Sequence, residues 1–84
     1  MLIYNVTVKI DNSAKEEWLN WMQEIHIPDV MNTGCFQKWS INHLLGTDET
    51  EGTTFAIQYT CDSMQTLEHY QNNFAKKLQE EHKV

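Results

Sequence analysis

Residues 18–36, WLNWMQEIHIPDVMNTGCF, decide how this chain is read. At about 100° per residue, Trp18, Trp21, Met22 and Ile25 fall within about 100° of arc, with Ala14 beside them and Leu19 and His26 at one edge. Glu16, Glu17, Asn20, Gln23 and Glu24 point away, so the pattern is an amphipathic helix with one buried face. Ile27 precedes Pro28, and a residue before proline is biased away from helical backbone; the helix is expected to end near His26–Ile27. Pro28 suits the first position of a short second helix, Asp29 complements its positive end, and Gly34 is the expected stop. His26 is thus expected at a helix end beside an aromatic face.

Working outward, residues 2–10 alternate, with Tyr4, Val6, Val8 and Ile10 on one side and Ile3, Asn5, Thr7 and Lys9 on the other. Period two with β-branched residues is a half-buried strand. Ser13 and Glu16 stand at capping-box spacing for the helix that follows. Residues 35–45 form a second expected strand, with Trp39, Ile41, His43 and Leu45 opposite Phe36, Ser40, Asn42 and Leu44. The polar loop Gly46–Gly52 returns the chain antiparallel into a third strand, Thr53–Cys61, which sets Phe55, Ile57 and Tyr59 against Ala56, Gln58 and Thr60. Asp62 or Ser63 caps a last helix, Gln65 completes a capping box with Asp62, and Met64, Leu67, Tyr70, Phe74 and Leu78 form its apolar stripe.

The order is therefore β-α-β-β-α. A ferredoxin-like β-α-β-β-α-β domain has one more strand, and without it the first strand becomes a sheet edge. A long apolar edge is an aggregation hazard unless covered. The expectation is a single domain over residues 1–84, C-terminally truncated or covered by another chain.

Composition narrows the chemistry. The chain has 84 residues and a net charge of −6, from 12 acidic residues against 6 lysines and no arginine. Arginine supplies the bidentate contacts that phosphates and guanines favour, so nucleic acid and anionic substrates lose support. No apolar run approaches the roughly 20 residues of a membrane helix, and no signal-peptide pattern opens the chain, so no membrane partner and a cytoplasmic location are expected. Cys35 and Cys61 lack C-x-x-C spacing and read as two buried thiols. His69 and His82 form no metal-ligand spacing, and the three glycines complete no nucleotide or nucleophile-elbow motif, so no metal and no cofactor are expected.

What remains is a short set of candidates. His26 is the candidate acid/base, with Asp29 to orient it; the plainer reading is a histidine capping its own helix. Trp21, Trp39 and Tyr59 are candidate pocket walls for a flat, apolar ligand, although large aromatics at such spacing commonly belong to a core. His43 shares a strand face with Trp39. Asn5, Thr7 and Gln58 are polar positions on sheet faces that need partners if covered.

Several segments converge on a family: Ile3–Val8, the Trp-x-x-Trp-Met…His-Ile-Pro-Asp-Val-Met-x-Thr-Gly-x-Phe block of residues 18–36, Leu44-Leu45-Gly46, and Tyr59-x-Cys61-x-Ser63-Met64. Together these resemble a bacterial domain-of-unknown-function family, DUF4286, over essentially the whole chain. The layout also looks like the wider dimeric α/β-barrel superfamily, which includes cofactor-independent monooxygenases and small isomerases. The resemblance implies a ferredoxin-like sheet with two helices on one face, dimerising through the other into a barrel. Two functions follow as expectations: a homodimeric interaction or small-molecule-binding module, or a cofactor-independent enzyme acting on an apolar or aromatic metabolite with His26 as acid/base.

Overall fold

The computed structural model describes residues 1–81, an α+β domain with one antiparallel sheet of three strands and two helices. Strands β1 (Leu2–Asp11), β2 (Lys38–His43) and β3 (Gly52–Cys61) lie in the order β1-β3-β2. Tyr4 stands opposite Tyr59 and Val6 opposite Ile57, while Trp39 and Ile41 flank the same two β3 residues from the other side. Register therefore puts the apolar alternation of all three strands on one face, as the sequence anticipates. That face, with Phe55, Ile57, Tyr59 and Cys61 all buried, receives both helices. The ten-residue β1 forms one edge of the sheet.

The opposite face is polar and carries no helix. Asn5, Thr7, Gln58, Ser40 and Asn42 lie on it, with Lys9 and Lys38 towards its ends. Its amides bond within the face: Asn5 Nδ2 donates to Thr7 Oγ1 at 2.9 Å, and Asn42 Nδ2 to Ser40 Oγ at 3.0 Å. Ala56, on the central strand between Thr7 and Asn42, is only 5% exposed.

The first helix departs from expectation. It does not end before Pro28 but runs through three segments, Lys15–Trp21, a π-helical turn Met22–His26, and Ile27–Met31. Ile27 keeps helical angles (φ −63°, ψ −44°), and its N–H donates to the carbonyl of Met22, five residues back. In a regular helix the ring of Pro28 collides with the carbonyl four residues earlier. The wider turn opens that gap, so the chain stays helical instead of breaking. The extra residue also lengthens the burial period. Trp18, Met22, His26 and Val30 are buried at a steady spacing of four, which leaves Ile25 50% exposed and turns His26 inward.

Smaller corrections follow from local chemistry. The Ser13–Glu16 capping box is not formed; a turn in which Ala14 N–H donates to Asp11 O at 2.9 Å makes Ala14 the helix cap. At the second helix (Met64–Tyr70, a π-helical turn Gln71–Ala75, then Lys76–Glu81), Ser63 is the cap and its hydroxyl accepts from Thr66 N–H, so the Asp62–Gln65 box is not used. Met64, expected on the buried stripe, opens the helix and is 60% exposed. Strand β2 is shorter than residues 35–45, and Phe36, expected on the face away from Trp39, precedes it and turns into the core at 6% exposed. Gly34 ends the first helix as expected, at φ +77°. Gly52 has a steric reason: a Cβ there would stand 2.9 Å from the carbonyl oxygen of Ile10 on β1. His82 lies outside the described residues.

These packing differences set a stability contrast. Ile57, 1% exposed at the centre of β3, should lose roughly 2–5 kcal/mol on substitution by Ala. His43→Ala, which removes a surface pair with Glu49 and a partly exposed ring contact with Phe55, should change stability by about 1 kcal/mol or less. Urea unfolding of the two variants measures both, and equal losses would contradict the assignment of the core.

Candidate functional site

Beneath the two helices lies a cavity of ≈ 40 Å³, framed by β1, β3, the π-helical turn of the first helix and the end of the second. Its apolar walls are Val6, Met22, Val30, Ile57 and Leu78. Its polar lining is His26, Tyr4, Tyr59, Tyr70 and Gln79. Among the described residues no Asp, Glu or Lys lines it.

Each polar group has a structural reason to be there. The π-helical turn carries His26 inward, to 7% exposed, where its ring stacks on Trp21 with centroids 4.8 Å apart and planes at 25°. Tyr4 and Tyr59 are register partners on adjacent strands, with ring centroids 6.2 Å apart. Tyr70, on the buried stripe of the second helix, meets Tyr4 at 5.7 Å, and Phe36 packs edge-on against Tyr70 at 4.8 Å. Offset and edge-to-face contacts of this kind hold rings in fixed orientations. At the rim, the exposed Gln79 donates from Nε2 to the hydroxyl of Tyr4 at 3.4 Å.

Burial shapes the acidity of the phenols. Loss of solvent, reinforced by Tyr70 and Tyr4, pushes the Tyr59 hydroxyl well above its ordinary range. Burial, with Tyr4 and Cys35 nearby, pushes Tyr70 up to about 12. Both hydroxyls therefore remain neutral donors across the physiological range.

The cavity brings together some of the residues singled out from the sequence and leaves others apart. His26 and Tyr59 line it, and Trp21 supports His26 from behind. Asp29 is exposed on the solvent side of the same helix, and the cavity is built without it. Trp39 lies on the helix-facing side of the sheet but on the edge strand β2, 42% exposed. His43, at the end of β2, pairs with Glu49 through Nε2 and packs on Phe55 at 5.7 Å. Asn5 belongs to the opposite, helix-free face. Tyr4, Tyr70 and Gln79 were not singled out. The first two carried the signal of core aromatics on an apolar face, and Gln79 carried none.

Among the described residues no three His, Cys, Asp or Glu side chains group as a metal site. Cys35 and Cys61 are both buried and free, as their spacing suggested. Among the described residues no helix is long and apolar enough to cross a membrane.

Fold and cavity together define a small α+β domain whose sheet is helix-covered on one face and encloses a polar, aromatic-lined space beneath the helices. The chain belongs to the family described as Domain of unknown function (DUF4286), whose model matches residues 1–84. No curated protein and no solved structure matches the chain.

The raised phenol acidities give a pH dependence of defined sign. Above the ordinary tyrosine value of 10.0, the unfolded chain releases phenolic protons that the folded chain retains at Tyr70 and Tyr59. The unfolded state then binds fewer protons, so stability falls as pH rises. The contribution is complete below pH 10 and should be lost progressively towards pH 12 and beyond. Thermal unfolding from pH 8 to 12 should show the decline, and Tyr59→Phe with Tyr70→Phe should flatten it. An equally steep decline in the double variant would contradict the buried, neutral phenols.

Proposed function

We propose that this chain is a homodimeric, ferredoxin-like domain that binds a small molecule between its sheet and its helices. The observation that carries the reading is the interior cavity, where His26, delivered by the π-helical turn, meets the cavity-lining tyrosines of β1, β3 and the second helix. A few polar groups converging within apolar walls is the usual composition of a ligand site. A ligand larger than the cavity's present ≈ 40 Å³ displaces the lining at its rim, where Gln79 is exposed.

The dimer reading rests on charge. In a chain of net charge −6, the helix-free sheet face carries one carboxylate in phase with its strands, Asp11 at its end. Two copies of an acidic protein meet with least repulsion through such a face. Its mutually bonded Asn, Thr and Ser side chains support burial against a second sheet, which would close an α/β barrel. Two buried free thiols support a reducing, cytoplasmic setting.

The alternative is a cofactor-independent enzyme acting on an apolar or aromatic metabolite. His26 favours it, as an imidazole beside phenolic donors is suited to acid/base work. Binding alone is the reading the small cavity supports best.

Size-exclusion chromatography with light scattering should give twice the 9.9 kDa chain mass at micromolar concentration. A Thr7→Glu/Gln58→Glu variant, which crowds carboxylates on the helix-free face, should run as a monomer with unchanged helix content. A monomeric parent chain would refute the dimer. In the same dimer, a screen of small metabolites should produce saturable NMR shifts at the Ile57 and Val30 methyls, and a screen without any would refute the binding site.

A further inference from the structure

The outer edge of β1 presents a row of backbone groups with no hydrogen bond to the described residues. The phase of the ladder shows which they are. Asn12 N–H donates to Glu51 O at 3.0 Å, and bonded pairs in an antiparallel ladder recur at every second residue. The pairs that bond β1 to β3 are therefore Ile10–Thr53, Val8–Phe55, Val6–Ile57, Tyr4–Tyr59 and Leu2–Cys61. The other side of β3 agrees: Leu44 N–H donates to Thr54 O at 3.0 Å, so the even-numbered residues of β3 bond towards β2. Ile3, Asn5, Thr7, Lys9 and Asp11 then turn their N–H and C=O groups outward. Both helices cover a face of the sheet, and every strand among the described residues is already in it.

Long edges are usually blunted by proline, a bulge or several charges, because open amides and carbonyls recruit another strand. β1 runs ten residues in unbroken register, holds no proline, and carries one lysine before its terminal Asp11. Strand β2, the other edge, has six residues and leads into the acidic loop of Asp48, Glu49 and Glu51. In a chain of net charge −6, residues 1–10 contain Lys9 and no acidic side chain, so a second copy meets least repulsion along β1.

The strand is also its own complement. Facing residues of an antiparallel pair share one side of the sheet, so the register must match odd positions to odd. Centred on Val6, it sets Asn5 against Thr7 and Ile3 against Lys9 as bonded pairs. On the helix side it sets Tyr4 against Val8, Leu2 against Ile10 and Val6 against its own copy, all half-buried apolar positions that the pairing covers further. No lysine faces a lysine. We infer that two copies of this chain join edge to edge through β1, antiparallel about Val6, merging two three-stranded sheets into one. The contact is isologous. It is separate from the face-to-face contact proposed above and does not rest on it.

Amide hydrogen exchange of the intact 84-residue protein is compared at about 10 µM and about 1 mM. The Ile3, Asn5, Thr7 and Lys9 amides are expected to slow about tenfold or more at the higher concentration, while Tyr4, Val6 and Val8, already bonded to β3, hold. In a mixture of labelled and unlabelled chains, an NOE is expected from the Val8 methyls of one copy to the Tyr4 ring of its partner. Asn5→Pro puts proline where the amide points outward, so the ladder to β3 keeps its bonds. It is expected to stay folded, read at the Val6 and Val8 amides, and to lose both signals. Slowing at Trp39, Ile41 and His43 instead, or an Asn5→Pro variant that still pairs, would overturn the inference. Absence of both signals in a sample running at twice the chain mass would overturn the edge contact and leave the face-to-face dimer standing.

Discussion

The arrangement depends on how a proline is accommodated inside a helix. Pro28 can neither donate a hydrogen bond nor tolerate the carbonyl four residues earlier at its usual distance. The chain answers with a π-helical turn over Met22–His26 rather than a break, and Ile27 N–H reaches Met22 O instead. That single adjustment decides which side of the helix faces the sheet after residue 22. It withdraws Ile25 to solvent and delivers His26 to the interior.

Most of the fold was legible because period-two alternation survives unchanged from sequence to sheet. Tyr4, Val6 and Val8 read as one face and are one face, and the register with Tyr59, Ile57 and Phe55 follows from it. The hairpin between β2 and β3 was equally plain in its polar, glycine-bracketed loop. The helix through Pro28 was not, because a proline rule describes the average chain and here tertiary packing of Ile27 and Val30, 1% and 0% exposed, outweighs it. Once the helical phase was misjudged, Ile25 and His26 exchanged places.

The site was less legible than the fold for a related reason. His26 stood out as ionisable and Tyr59 as aromatic, and both line the cavity. Trp39 and His43 share the correct sheet face, but β1 and β2 are both edges and no sequence pattern says that the helices pack over β1 and β3. Asp29 looked like a partner for His26 at a helix break; in a continuous helix, three residues on, it points to solvent. Tyr4 and Tyr70 passed as core because they are core, with a hydroxyl added. The difference between a filled interior and one with a polar space lies in where a few oxygens point. Only three-dimensional packing fixes that.

The central claim, that the helix stays continuous through Pro28 and carries His26 into a polar interior, is most directly tested by a crystal structure at a resolution that shows ordered solvent. The account predicts an unbroken helix with Ile27 N–H bonded to Met22 O, the His26 ring against Trp21, and density for water or a bound molecule within reach of Tyr59 and Tyr70. A helix that ends at Ile27, with His26 turned to solvent and apolar side chains filling the space between the tyrosines, would contradict it.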